Sequence, residues 1–226
     1  MNIQLKNFWT IVEKMSKIKS SVLITNASNM IGLSCTEIFL KNNYKVYCLI
    51  SNSKQKNKLK SFQSQNLKIL NFSHNKKSIK LLKKKIKHLD CIIYNFDNSL
   101  NKKTSFQKSK INQWKKSFEI NFFQPIELVH VFYSVLKKSR SASVINISSL
   151  LSSFGGHPNM YQYGIAKLAL DNFTKYVSKE MIENKIRMNS VLPDNSVKPE
   201  KISDIVYWLS SRDSSYVCGA NIEINN

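Results

Sequence analysis

Arginine is nearly missing from this chain of 226 residues, where Arg140, Arg187 and Arg212 are the only three. Lysine supplies almost all of a formal charge of +21, set against 14 acidic residues, and asparagine is abundant. Lysine with asparagine is what an AT-rich genome writes at unconstrained surface positions, whereas arginine is the residue suited to bidentate contacts with bases and phosphates. The charge is therefore read as compositional, with a polyanion or acidic partner as the lesser alternative, and no specific nucleic-acid partner is expected. Nor is there a run of eighteen apolar residues, so no membrane-spanning helix is expected. Cys35, Cys48, Cys91 and Cys218 form no C-x-x-C pair, and His74, His88, His130 and His157 show no ligand spacing. Those absences argue against a disulfide framework and a metal site, and they suit reduced thiols in a reducing, cytoplasmic setting.

What is present is enough apolar residue, 42%, for a sizeable core, and a regular alternation of strand and helix patterns. Residues 1–19 read as an N-terminal extension, helical in pattern through Leu5, Phe8, Trp9, Val12 and Met15, with organellar targeting left open. From Ser20 the strands are expected at Ser21–Thr25, Lys45–Ile50, Leu67–Phe72, Asp90–Asn95, Ser143–Ser148, Ile186–Leu192 and Ala220–Ile224. Helices are expected at Ile31–Asn42, Lys54–Gln63, Ser78–His88, Gln113–Leu136, Tyr161–Asn184 and Glu200–Ser211, with a kink at Pro125. The lysine cluster Lys76–Lys87 has Ile79, Leu82 and Ile86 at helical spacing, so it reads as the solvated face of a core helix. Alternation at this pitch gives right-handed βαβ units. Residues 20–226 thus form a single α/β domain, a doubly wound Rossmann-type parallel sheet of about seven strands in three αβα layers.

Tyr163 and Lys167 stand four residues apart and so share one helix face. An ammonium near a phenol favours its phenolate, which suits the pair to proton transfer in carbonyl/alcohol chemistry. Alone such a pair is most often an ordinary aromatic beside a solvated lysine, and the surrounding motifs decide. Thr25-Asn26-Ala27-Ser28-Asn29-Met30-Ile31-Gly32 follows the first strand. Asp90 to Asp97 includes Asn95, Trp114 to Phe122 includes Asn121, and Val144-Ile145-Asn146-Ile147-Ser148-Ser149 ends in paired serines. Tyr161 to Leu170 leads on to Ile186-Arg187-Met188-Asn189-Ser190-Val191-Leu192-Pro193, and Ser214 to Ile222 closes the series. In this order the blocks resemble the short-chain dehydrogenase/reductase family. The first block keeps Thr25 and Gly32 of the family's T-G-x-x-x-G-x-G but has Asn26 and Met30 for its first two glycines. Asparagine tolerates left-handed backbone at the first of these. Tyr94, Phe96 and Asp97 depart from the second block, and Asp194 stands where a glycine usually follows Pro193.

The resemblance implies an NAD(P)(H)-dependent oxidoreductase interconverting a carbonyl and an alcohol. It implies Tyr163 as general acid/base, Lys167 as its tuner and ribose holder, Ser149 on the substrate oxygen and Asn121 holding a water. Ser149 lies fourteen residues before Tyr163, one more than the commonest family spacing, with Ser148 as the fallback. The implied cofactor site comprises Thr25, Asn26, Ser28, Asn29, Ile31, Gly32, Ser51, Lys54, Asn95, Tyr163, Lys167 and Pro193. No carboxylate ends the second strand, and Ser51, Ser53 and Lys54 suit a 2′-phosphate, so NADP is favoured over NAD. The family's long substrate-closing segment is reduced here to Asn195–Pro199, which implies an open cleft and a small-molecule or carrier-bound carbonyl substrate. A homodimer or homotetramer paired through the two long helices is implied by analogy. A second reading stays open: a reductase-like chain that keeps the fold and serves as an interaction subunit.

Overall fold

The computed structural model describes residues 20–73, 75–96, 105–153 and 159–226. The expected N-terminal extension, Asp97, His74 and His157 lie outside the described residues. Seven parallel strands make one sheet: β1 (Ser21–Ile24), β2 (Lys45–Ile50), β3 (Leu67–Asn71), β4 (Cys91–Tyr94), β5 (Ala142–Ile147), β6 (Ile186–Pro193) and β7 (Asn221–Ile224). Their spatial order is β3-β2-β1-β4-β5-β6-β7, so the chain runs outward from β1 to one edge and then returns to build the other. The helices are α1 (Met30–Lys41), α2 (Lys56–Lys60), α3 (Lys76–Lys85), α4 (Ile111–Phe118), α5 (Gln124–Leu136), α6 (Tyr161–Met181) and α7 (Pro199–Ser210).

Successive strand residues face opposite sides of a sheet, and both sides here are covered. Leu23 packs with Leu49, Ile79, Leu82, Leu128 and Phe132, under α3, α5 and α6. Its neighbours Val22 and Ile24 pack the other way, with Phe39, Leu59, Val206 and Leu209 of α1, α2 and α7. Burial pushes the thiols of Cys35 and Cys48 up to about 12, and that of Cys91 up also, so these three are packing groups and not thiolates at neutral pH.

The long helix expected over Gln113–Leu136 is instead two α-helices joined by a π turn, Glu119–Phe123. The break lies one turn ahead of Pro125, which takes a first-turn position of α5 where a missing N–H is harmless. Gln124 N–H reaches back to the carbonyl of Glu119, and Pro125 has no N–H to offer Ile120. The Ile120 carbonyl is satisfied instead by the Tyr94 hydroxyl at 2.6 Å. Helix α2 is shorter than expected at both ends: a 3₁₀ turn, Ser53–Gln55, capped by Asn52, takes its start, and it stops at Lys60. No described helix is long and apolar enough to cross a membrane.

Candidate active site

The strand order reverses between β1 and β4, and a crevice opens there beyond the carboxyl ends of the strands. A cleft of about 310 Å³ lies at this place, lined by the first turn of α1, the ends of β4, β5 and β6, and the start of α7.

One wall is the turn from β1 to α1. Thr25 Oγ1 accepts from Asn95 N–H at 2.8 Å, which ties the ends of β1 and β4 together. Asn95 Nδ2 donates to Asn29 Oδ1 at 2.8 Å, and Asn29 Oδ1 also caps α1 by accepting from Gly32 N–H at 2.7 Å. Asn26 has φ +46°, the left-handed geometry expected of it. Gly32 is irreplaceable on steric grounds, since a Cβ there would stand 2.7 Å from both Ala27 Cα and Asn26 O. Met30 is different: it opens α1 with its side chain 71% exposed at the cleft mouth, and nothing in the backbone geometry demands glycine. The first turn of α1 carries no acidic residue, so the positive end of its dipole is not offset locally.

The other wall carries the proton-transfer candidates. Lys167, on α6, is 1% exposed. Its Nζ donates to the Ile147 carbonyl at 2.8 Å and the Phe96 carbonyl at 3.2 Å, and it lies 5.6 Å from the centroid of the Tyr163 ring. Both side chains, with Ser149, line the cleft. Asn121 sits in the π turn, fully buried, its Nδ2 donating to the Ser117 carbonyl at 3.0 Å. Its Oδ1 is buried and accepts from no group among the described residues, whereas buried carbonyl oxygens normally have a donor. Ser117 Oγ donates to the Gln162 carbonyl at 3.0 Å, joining the Asn121 helix to the residue before Tyr163.

The two serines at the end of β5 are held differently. Ser148 Oγ donates to Asp171 Oδ2 at 2.9 Å, so its proton is committed. Ser149 Oγ accepts from Leu151 N–H at 3.3 Å and donates to nothing among the described residues. The geometry therefore favours Ser149 over Ser148 as the donor to a ligand. Asp194, after β6, accepts from Ser196 N–H at 2.8 Å and Ser196 Oγ at 2.6 Å, and these bonds hold its carboxyl below the usual range. It stands in the cleft mouth as a fixed negative charge, and the connection from β6 to α7 is only Asp194–Lys198.

Of the expected site residues, Asn29, Ile31, Asn95, Ser149, Tyr163, Lys167 and Pro193 line the cleft. Thr25, Ser28 and Gly32 are packed in the turn behind it, with Asn26 at its bend. Ser51 and Lys54 are exposed at the end of β2 and do not line this cleft, and Ser51 Oγ is taken by Gln55 Oε1 at 3.1 Å. Asp171 and Ser152 were not expected at the site. An acid on the buried stripe of α6, with Lys167, Leu170 and Thr174, is the signal that marks it.

The cleft fits a dinucleotide in one respect that the backbone fixes, the Gly32 cradle beneath the α1 N-terminus. Residues 20–198 match the family described as short chain dehydrogenase. Among curated proteins, chanoclavine-I dehydrogenase of Arthroderma benhamiae is 28% identical over 128 residues, covering 50% of this chain and 52% of that protein. Dehydrogenase/reductase SDR family member 6 of Rattus norvegicus is 24% identical over 93% of this chain and 98% of its own length. An NADPH-bound short chain oxidoreductase of Pseudomonas aeruginosa PAO1 superposes with a TM-score of 0.82 at 16% identity, covering 91% of this chain and 95% of that one.

Proposed function

From its membership of the short-chain dehydrogenase family, to which this chain belongs, we propose that it is an NADP(H)-dependent oxidoreductase interconverting a carbonyl and an alcohol. The observation that carries the reading is the buried Lys167 ammonium beside the Tyr163 ring on the cleft wall. Burying an ammonium is unfavourable, and such a group persists where its charge is used.

A bound nicotinamide would supply or accept the hydride, and the chain handles the proton. Tyr163 Oη gives its proton to the substrate oxygen in reduction and takes it back in oxidation. Lys167 Nζ, oriented by two backbone carbonyls, stabilises the phenolate left behind. Ser149 Oγ donates to the same substrate oxygen, and the proton commitment of Ser148 to Asp171 supports that assignment. Asn121 Oδ1 is the acceptor for a water that links Lys167 to solvent. Asn29 and Ile31 at the start of α1 would hold the pyrophosphate, with Gly32 packed in the turn beneath them and Asn95 and Pro193 flanking the cleft.

The preference for NADP rests on charge. No acidic residue occurs between Glu37 and Asp90, the stretch that builds β2, α2, β3 and α3. Lys54, Lys56, Lys58 and Lys60 are all exposed beside the end of β2, so the field there favours an additional phosphate. Ile165, Leu168 and Tyr176 of α6, with Ile111 of α4 and Phe123 of the π turn, are exposed apolar groups, and they support pairing of two copies through these helices.

Calorimetric titration with NADPH, then turnover on diketones, quinones and β-ketoacyl thioesters, tests the reading. Binding in the micromolar range with turnover on one class is expected. No binding at millimolar NADPH would overturn the oxidoreductase reading. Met30 and Asp194 in the cleft mouth would then favour the second one, a reductase-like interaction subunit.

A further inference from the structure

Asp171 lies on α6 four residues beyond Lys167 and is 2% exposed, yet the proton chemistry above makes no use of it. Its Oδ2 accepts from Ser148 Oγ at 2.9 Å and from Ser152 Oγ at 2.6 Å. These two serines bracket Ser149. Ser152 Oγ also lies 2.7 Å from the Ser149 carbonyl, so its one proton is shared between that carbonyl and the carboxylate. Ser152 N–H donates to the Ser149 carbonyl at 3.0 Å, closing a 3₁₀ turn over Leu150–Ser152 that Ser149 caps. The turn leans on α6 at a second point, since a Cβ on Gly164 would meet the Leu151 carbonyl at 3.5 Å.

We propose that Asp171 is a positioning residue: it ties the Ser149–Ser152 turn to the helix that carries Tyr163 and Lys167, and so fixes the Ser149 hydroxyl relative to Tyr163. A carboxylate suits the task because it accepts from two hydroxyls at once and needs to donate to neither. The clamp holds Ser149 in place whatever the length of the connection that leads on to Tyr163. Misplacement of a reacting group by about 1 Å can cost on the order of 100-fold in rate.

This inference rests on the oxidoreductase reading for its effect on rate but not for its geometry, and the test has two arms. With a substrate in hand, Asp171→Ala is expected to lower kcat by roughly 10- to 100-fold while the KM for NADPH stays within about twofold. Asp171→Asn, which keeps an acceptor oxygen, should recover much of the loss. In a Ser149→Ala background, Asp171→Ala should add little further loss, because the clamp acts through Ser149. An equal loss with and without Ser149 overturns the proposal. The second arm is amide hydrogen exchange on the unliganded full chain. Exchange at Leu151 and Ser152 should speed up about tenfold or more in Asp171→Ala and in Ser152→Ala, while α6 keeps its protection. Unchanged exchange at those amides, or equal acceleration throughout α6, overturns the clamp. A chain that binds no NADPH and turns over nothing, but shows the local exchange effect, would sink the oxidoreductase reading and leave the clamp standing.

Discussion

The two walls of the cleft differ in how far each departs from the family's pattern. On the β4–β5–α6 side, Asn121, Ser149, Tyr163 and Lys167 are all present, and each is tied in place by hydrogen bonds or packing. On the β1–α1 side, two of three expected glycines are gone and a methionine stands at the mouth. The physical reason separates the three glycine positions. Gly32 is kept because a Cβ would collide with backbone, and Asn26 substitutes because asparagine accepts positive φ. Met30 breaks no rule of the fold, because its side chain leaves the helix into open space. The fold therefore constrains Gly32 and Asn26, whereas position 30 is constrained only by what must approach it. Altered function is to be sought at the residue the fold leaves unconstrained.

The largest expected effect is on the proton side. Tyr163→Phe removes the hydroxyl and keeps the ring beside Lys167, so kcat on any substrate should fall by about 10²- to 10⁴-fold. NADPH affinity, read by calorimetry, should change little. Turnover that survives the substitution would remove Tyr163 from the assigned role and leave the intact wall without a chemical meaning.

Gly32→Ala tests the constrained position of the opposite wall. The added Cβ must displace the backbone of Ala27 and Asn26, and overpacking of this kind costs about 1–3 kcal/mol. A fall in Tm of roughly 3–10 °C is expected in thermal denaturation, together with weakened NADPH binding. A variant with unchanged Tm would show that the turn relaxes freely and that Gly32 is not what sets its shape.

Met30→Gly tests the unconstrained position and should act in the opposite direction. Removing the side chain lets a phosphate approach the α1 N-terminus, and NADPH should bind about tenfold tighter. The helix itself loses at most about 1 kcal/mol from a glycine, and less in its first turn. No gain in affinity would mean that Met30 already lies clear of the ligand, and the supposed weakness of this wall would disappear.

Much of this was legible in the sequence, and particular residues show why. The strands announced themselves as β-branched runs between polar turns, and all seven were placed to within a residue at each end, as at Lys45–Ile50. Asn26 at positive φ agrees with its place at a glycine position of the family's pattern, which asparagine can fill. The break near Pro125 was legible, but its position was not, because the π turn depends on Tyr94 reaching Ile120 across 26 residues. The Asp171 clamp was illegible for the same reason, since its serines lie 19 and 23 residues away and meet it only once α6 packs on β5. Ser51 was expected to face a ligand, and its hydroxyl instead found the nearby Gln55. Local patterns specify elements and turns, whereas side-chain pairing waits on tertiary placement.

The smallest expected effect is on the dependence of stability on pH, and it separates the buried Asp171 from Asp194 at the cleft mouth. Burial raises the carboxyl of Asp171, while the hydroxyls of Ser152, Ser148 and Ser190 and the charge of Lys167 pull it partly back. A carboxyl raised in the folded state binds more protons there than in the unfolded chain over the interval between the two values. Stability from this group therefore falls as pH rises from the ordinary carboxylate range through the raised value, and is flat above it. Asp194 on the cleft mouth has the opposite sign: its carboxyl is lowered, so its contribution is present at neutral pH and is lost as pH falls through the lowered value. Asp171→Asn should abolish the first slope in urea denaturation followed across pH 4 to 8, and Asp194→Asn should leave that slope intact. If Asp171→Asn leaves the profile unchanged, the carboxyl titrates alike in both states, and the clamp holds it in surroundings no less favourable to its charge than water.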